Sequence, residues 1–139
     1  MADPVSIIGI VIASLKLGDQ ICRYCASFKD APRYAEDLVA QVAAVGEVLR
    51  LLRNHLEREQ AKGSERFSNT SALFFSANGC HERLEQIHKF LAPLVSGTGA
   101  LKFWRRLRWP LDRDNAADAV AGLHRYSQIF HFAVNLDGL

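Results

Sequence analysis

Apolar residues recur along this chain at steps of three and four, and no stretch shows the strict alternation that a half-buried strand requires. Four segments carry the pattern, and each reads as a helix. The clearest follows Asp30-Ala31-Pro32: Leu38, Val42, Val45, Leu49, Leu52 and Leu56 trace one stripe, while Glu36, Asp37, Glu47, Arg50 and Arg53 occupy the other faces. A later segment repeats it through Leu73, Ala77, Cys80, Leu84, Ile87, Leu91 and Leu94, and Gly97-Thr98-Gly99 ends it. The last begins after Trp109-Pro110, with Asp112 or Asp114 as the cap and Ala119, Leu123, Tyr126, Phe130 and Ala133 as the buried stripe. The first opens on Asp3-Pro4, an N-cap acceptor followed by a residue whose ring presets φ for the first helical position. It is expected to run to about Phe28, with Leu17, Ile21, Tyr24 and Phe28 on one face. The polar stretch 58–71 breaks near Gly63 and offers Asn69, Thr70 or Ser71 as the next cap. Residues 100–108 leave room for a short extra helix before the last one. Antiparallel packing of four such helices gives an all-α, up-down four-helix bundle.

Length and composition bound what such a bundle can be. At 139 residues, 49% apolar and 23% charged, the chain matches a single globular domain with one core, and no linker divides it. The longest uncharged apolar run, Pro4 to Leu15, is 12 residues, short of the roughly 20 a membrane-spanning helix needs. Nothing basic precedes that run, so it does not read as a secretory signal, and Ala2 excludes N-myristoylation. Three cysteines are too few and too odd in number for a disulfide framework. These features point to a cytoplasmic protein.

The motifs of catalysis and metal binding are weak. Cys22-Arg-Tyr-Cys25 has CxxC spacing, and Cys80-His81 would in principle complete a zinc set, but both cysteines of the pair fall inside a helix beside its apolar face and read as core thiols. His124 and His131 share a helix face on the order of 10 Å apart, too far to chelate one ion, and read as surface or edge histidines. Ser96-Gly97-Thr98-Gly99 lacks P-loop spacing, no GxSxG elbow occurs, and Glu82 and Glu85 lie on a polar helix face. No catalytic, cofactor-binding or metal-binding residue is assigned; the chain reads as a non-enzyme.

Two features exceed what a bland bundle requires. Val5 to Leu15 is apolar nearly all round, which suits either a central core helix, with Gly9 allowing close packing, or a helix that enters lipid. Residues 101–109 hold four basic residues and no acid, leaving 13 basic against 15 acidic elsewhere. There Lys102, Arg105, Arg106 and Arg108 interleave with Phe103, Trp104, Leu107 and Trp109, a composition suited to an anionic membrane surface. The plainer alternative has the aromatic residues anchoring a loop, and single-stranded nucleic acid is a weaker alternative that would show steep salt dependence.

The opening Met-Ala-Asp-Pro-Val-Ser, the apolar helix after it, the turn Asp30-Ala31-Pro32, and Arg106-Leu-Arg-Trp-Pro-Leu111 leading to Leu123-His-Arg-Tyr126 together resemble the HeLo-like domain found at the N-terminus of fungal STAND (NACHT-type) receptors and their partner proteins. The resemblance covers essentially the whole chain, and its most specific part is the basic-Trp-Pro block. It implies a helical bundle related to the HeLo domain and, more remotely, to the executioner domain of mixed-lineage kinase domain-like protein. It further implies a cell-death effector of fungal non-self recognition, clustered by a NACHT-type receptor or an amyloid-signalling segment, that moves from the cytoplasm to the plasma membrane and permeabilises it. On that reading Val5, Ile7, Ile8, Ile10, Val11, Ile12 and Leu15 insert into lipid, while Lys102, Phe103, Trp104, Arg105, Arg106 and Arg108 lie at its surface. The expected partners are anionic lipids and further copies of the chain, with no nucleic acid and no cofactor. Ser127 stands where the last-helix motif leads one to expect a lysine, and Lys16 limits the depth of insertion. The alternative function is a homo-oligomerising or adaptor module of a STAND receptor with no membrane activity.

Overall fold

The computed structural model describes residues 4–26, 32–61, 70–95 and 113–137, all helical except Pro32. They form α1 (Pro4–Ala26), α2 (Arg33–Ala61), α3 (Thr70–Val95) and α4 (Arg113–Asp137). The molecule is an all-α helical bundle, and among the described residues there is no strand. Residues 100–108, where the extra helix was expected, lie outside the described residues, as do Asp3 and Phe28.

Local chemistry accounts for the helix starts. Proline occupies the first position of α1. Before α2, the Ala35 amide donates to the Pro32 carbonyl at 2.9 Å, closing the first turn as the chain enters the helix.

Each stripe finds the core. Leu38, Val42, Val45, Leu49, Leu52 and Leu56 are all buried, joined on α2 by Ala35 and His55. Leu73, Ala77, Cys80, Leu84 and Ile87 contribute from α3; the side chains of Leu91 and Leu94 lie outside the described set. From α4 come Ala119, Leu123 and Phe130, with Tyr126 and Ala133 packed half-buried against them. On α1, Ile21 is buried and Leu17 and Tyr24 are partly so.

The helices alternate direction along the chain but are not neighbours in chain order. Cys22 and Cys25 share a cleft with Ala35 and Val39, and Gly18 faces Val42, so α1 and α2 are antiparallel. Tyr126 packs over Gly79 and Arg83 over Gly122, making α3 and α4 antiparallel as well. By contrast Asp37 and Gln41 line a groove with Ala117 and Ala121, while Val48 lines another with Gln128 and His131, so α2 and α4 run parallel. It follows that α1 and α3 are parallel too, and they meet at Tyr24 and His88. The neighbours are α1·α2, α2·α4, α4·α3 and α3·α1, which leaves α2 diagonal to α3 and α1 diagonal to α4. Two αα-hairpins therefore lie side by side around one core.

Candidate functional site

The N-terminal half of α1 is the candidate element, and the bundle holds it on two sides, against α2 and α3. Ile7 and Val11 are fully buried and Leu15 is buried on the same stripe. Ile8 and Ile10 flank that stripe, partly covered, whereas Ile12 is 39% exposed. Val5 lies in the first turn, its side chain outside the described set. The helix is thus neither central nor free: one face is in the core, and the opposite face carries Gly9, Ile12 and Lys16 to the surface. Gly9 does not serve close packing against the described residues, because a β-carbon there would meet none of them within 4 Å. Apolar residues all round a helix state what its surroundings tolerate, and here solvent covers part of an apolar surface.

Among the described side chains of this segment, one polar group sits on the buried face. Ser14 is 1% exposed, and its hydroxyl donates to the Ile10 carbonyl of the same helix at 2.8 Å. The hydroxyl is satisfied within α1 and asks nothing of α2 or α3. From Pro4 to Leu15 there is no charge, and the first turn has no acid. Among the described residues, however, no helix is long and apolar enough to cross a membrane.

Lys102, Phe103, Trp104, Arg105, Arg106 and Arg108, with Leu107 and Trp109, lie outside the described residues. Their flanking helix ends are placed. The end of α3 and the start of α4 sit at the same end of the bundle as the end of α1, opposite the end that carries Ile7. With 23 residues, α1 separates its own two ends by about 34 Å at 1.5 Å per residue.

The other candidates resolve into ordinary roles. Cys25 and Cys80 are buried, and burial pushes both thiols up to about 12; Cys22 is also raised, by burial first and by the Asp19 carboxylate second. Thiols held protonated are poor nucleophiles and poor metal ligands. Among the described residues no group of three or more His, Cys, Asp or Glu is arranged to hold a metal ion. His124 and His131 are exposed.

Two histidines escaped the sequence reading. His55 is buried on α2, one heptad after Val48, a spacing that could have revealed it. His88 stacks at a tilt on Tyr24 with ring centroids 5.5 Å apart, and its Nε2 is buried without a hydrogen-bond partner among the described residues. The Ser127 hydroxyl is in the same condition on α4. Comparison with known proteins adds no further constraint: no family model, no curated protein and no solved structure matches the chain.

Proposed function

We propose that this bundle is a HeLo-like, membrane-targeting effector domain of regulated cell death, in which clustering releases α1 from the bundle as one helix and its N-terminal half enters lipid. The observation that carries the reading is the self-sufficiency of that segment. It is uncharged from Pro4 to Leu15, and among its described side chains the one buried hydroxyl, on Ser14, takes its acceptor from Ile10, so none of those side chains carries an unmet polar group into lipid. Expected partners are anionic lipids, other copies of the chain, and a NACHT-type receptor or amyloid-signalling segment that clusters them. The domain would rest in the cytoplasm and move to the plasma membrane on activation.

The energetics favour a guarded resting state. Burying Ile7, Ile8, Ile10, Val11 and Ile12 in lipid is worth roughly 8 to 15 kcal/mol gross. Ile7 and Val11 are already out of water in the bundle, so the net gain comes from Ile12 and the open parts of Ile8 and Ile10. Release also uncovers the faces of α2 and α3 that α1 now covers. A single chain therefore gains little, and clustering must supply the rest by letting copies cover one another. The 12-residue uncharged run spans about 18 Å against a bilayer core of about 30 Å, so insertion further needs local thinning or several helices together.

A reversible lock tests this without damaging the fold. A β-carbon at Gly18 would stand 3.6 Å from Val42 Cγ1, close enough for Gly18→Cys and Val42→Cys to join α1 to α2. With the three native cysteines replaced by alanine, the reduced protein is expected to release dye from anionic liposomes and the oxidised protein to be silent, with leakage restored by reductant. Equal leakage in both redox states would remove α1 release from the mechanism. No leakage and no liposome co-sedimentation in either state would leave the oligomerising or adaptor module, which the exposed Leu51, Ile129 and Phe132 favour.

A further inference from the structure

Leu51 on α2 and Phe132 on α4 are exposed apolar residues at nearly the same height on neighbouring helices. Val48, Ser127, Gln128, His131, Phe132 and Asn135 line an open groove of about 380 Å³ between the two helices, with no Asp, Glu, Lys or Arg among them. Phe132 stands on its rim 67% exposed, and Leu51 on α2 is 49% exposed. The parallel register that pairs Gln41 with Ala121 and Val48 with Gln128 sets Phe132 level with Leu52. Glu47, Leu51, Asn54 and Arg58 follow one another along α2 at steps of four, three and four, all exposed.

That order is complementary to itself when reversed. An acid at one end and a base at the other, with Leu51 and Asn54 between, are symmetric about a point between Leu52 and Arg53, the height at which Phe132 projects. We infer that this face pairs with a second copy of the chain about a two-fold axis crossing α2 at that height. The two α2 helices then run antiparallel, and Glu47 of each copy faces Arg58 of the other. The two Phe132 rings meet near the axis, over the grooves. A self-complementary patch of this kind closes as a dimer, since every contact is made twice. Charge order selects the occupant: a second copy presents base to acid and acid to base, and a central aromatic beside a groove is the usual anchor. The pairing needs no lipid, so it stands or falls apart from the membrane reading.

Sedimentation velocity of the intact chain in lipid-free buffer, up to about 1 mM, tests it. A dimer is expected, weakened roughly 30-fold or more by Phe132→Asp, the loss typical of a central anchor. Phe75→Asp, on α3 and away from the seam, is expected to leave it unchanged. Glu47→Arg and Arg58→Glu, each with folding checked by circular dichroism, should each weaken self-association through like charges at both ends of the interface. An equimolar mixture of the two should associate again, because each pairs its reversed charge with the other. A protein that stays monomeric throughout overturns the inference and leaves the seam to a different partner. A dimer indifferent to Phe132→Asp, or charge variants that do not re-associate on mixing, overturns it as well.

Discussion

Ser127 concentrates the tension between packing and polarity at the level of a single side chain. It is 9% exposed at the α2–α4 seam, and its hydroxyl has no partner among the described residues. Leaving a buried hydroxyl unpaired costs about 1–3 kcal/mol, so Ser127→Ala should raise the urea-unfolding free energy by about 1 kcal/mol. Ser127→Lys, which installs the residue that the last-helix resemblance leads one to expect, should lower it by about 1–3 kcal/mol, since the stem must be accommodated while the ammonium reaches out along the groove. A variant at least as stable as the alanine form would show that the seam was shaped for a long side chain. The thiols make a pH prediction. Cys25 and Cys80 are raised from 9.0 to about 12 in the folded protein, so folding favours the protonated form. Their contribution is complete below pH 9.0 and is lost as pH rises towards about 12. The urea midpoint should fall over that window, and less steeply in a variant with both residues replaced by alanine. A thiol reagent at pH 8 should label neither residue until the protein is unfolded.

Among the elements, the α3–α4 hairpin distinguishes two glycines that look alike in sequence. Each lies under a side chain of the opposite helix, but the covering groups differ in freedom. Over Gly79 sits the ring of Tyr126, itself stacked against Phe130 with centroids 6.3 Å apart. Over Gly122 sits the guanidinium of Arg83, an exposed side chain free to swing away. Replacing a helical glycine by alanine gains about 1 kcal/mol of intrinsic preference, while forcing atoms into a packed contact costs about 1–3 kcal/mol. Gly79→Ala should therefore destabilise by about 1 kcal/mol and Gly122→Ala should stabilise by about 0.5–1 kcal/mol, both read from denaturant curves. Sequence could not separate them, because periodicity reports which face a residue occupies and not what covers it. For the same reason the α2 stripe was legible apart from Ala35 and His55, whereas α1 was not. Where apolar residues surround a helix, the pattern no longer names a face, and the surface position of Gly9 and Ile12 follows from α1 having neighbours on only two sides. The candidate site was legible as a composition, from Val5 to Leu15, and its exposure was not.

For the molecule as a whole, the order α1·α2·α4·α3 decides what losing α1 means. Ile7, Val11 and Leu15 belong to a core cluster shared by all four helices. Removing them forfeits about 1.5–3 kcal/mol each, a sum comparable with the 5–15 kcal/mol by which a domain is usually stable. A truncation lacking residues 1–15 should keep much of its far-ultraviolet helix signal while losing near-ultraviolet signal and its cooperative urea transition. Retention of a sharp transition would mean that α2, α3 and α4 stand without it, which would make α1 a detachable arm. The neighbour order itself was hidden from sequence, since alternation of direction is the same for any cyclic arrangement of four helices. Adjacent apolar faces say that helices pack together, and the register between α2 and α4 is set by side chains some 80 residues apart.

That separation also has a consequence in time. During synthesis α1 meets α2 first, but its second wall, α3, is made much later: His88 emerges roughly 60 residues after the Tyr24 it packs against. At about 5–20 residues per second, the most apolar helix of the chain stays half-covered for about 3 to 12 seconds on every ribosome. A nascent chain in that interval presents the same surface that release of α1 would uncover, so chaperone capture of the growing chain should depend on α1 and end once α3 has cleared the exit tunnel.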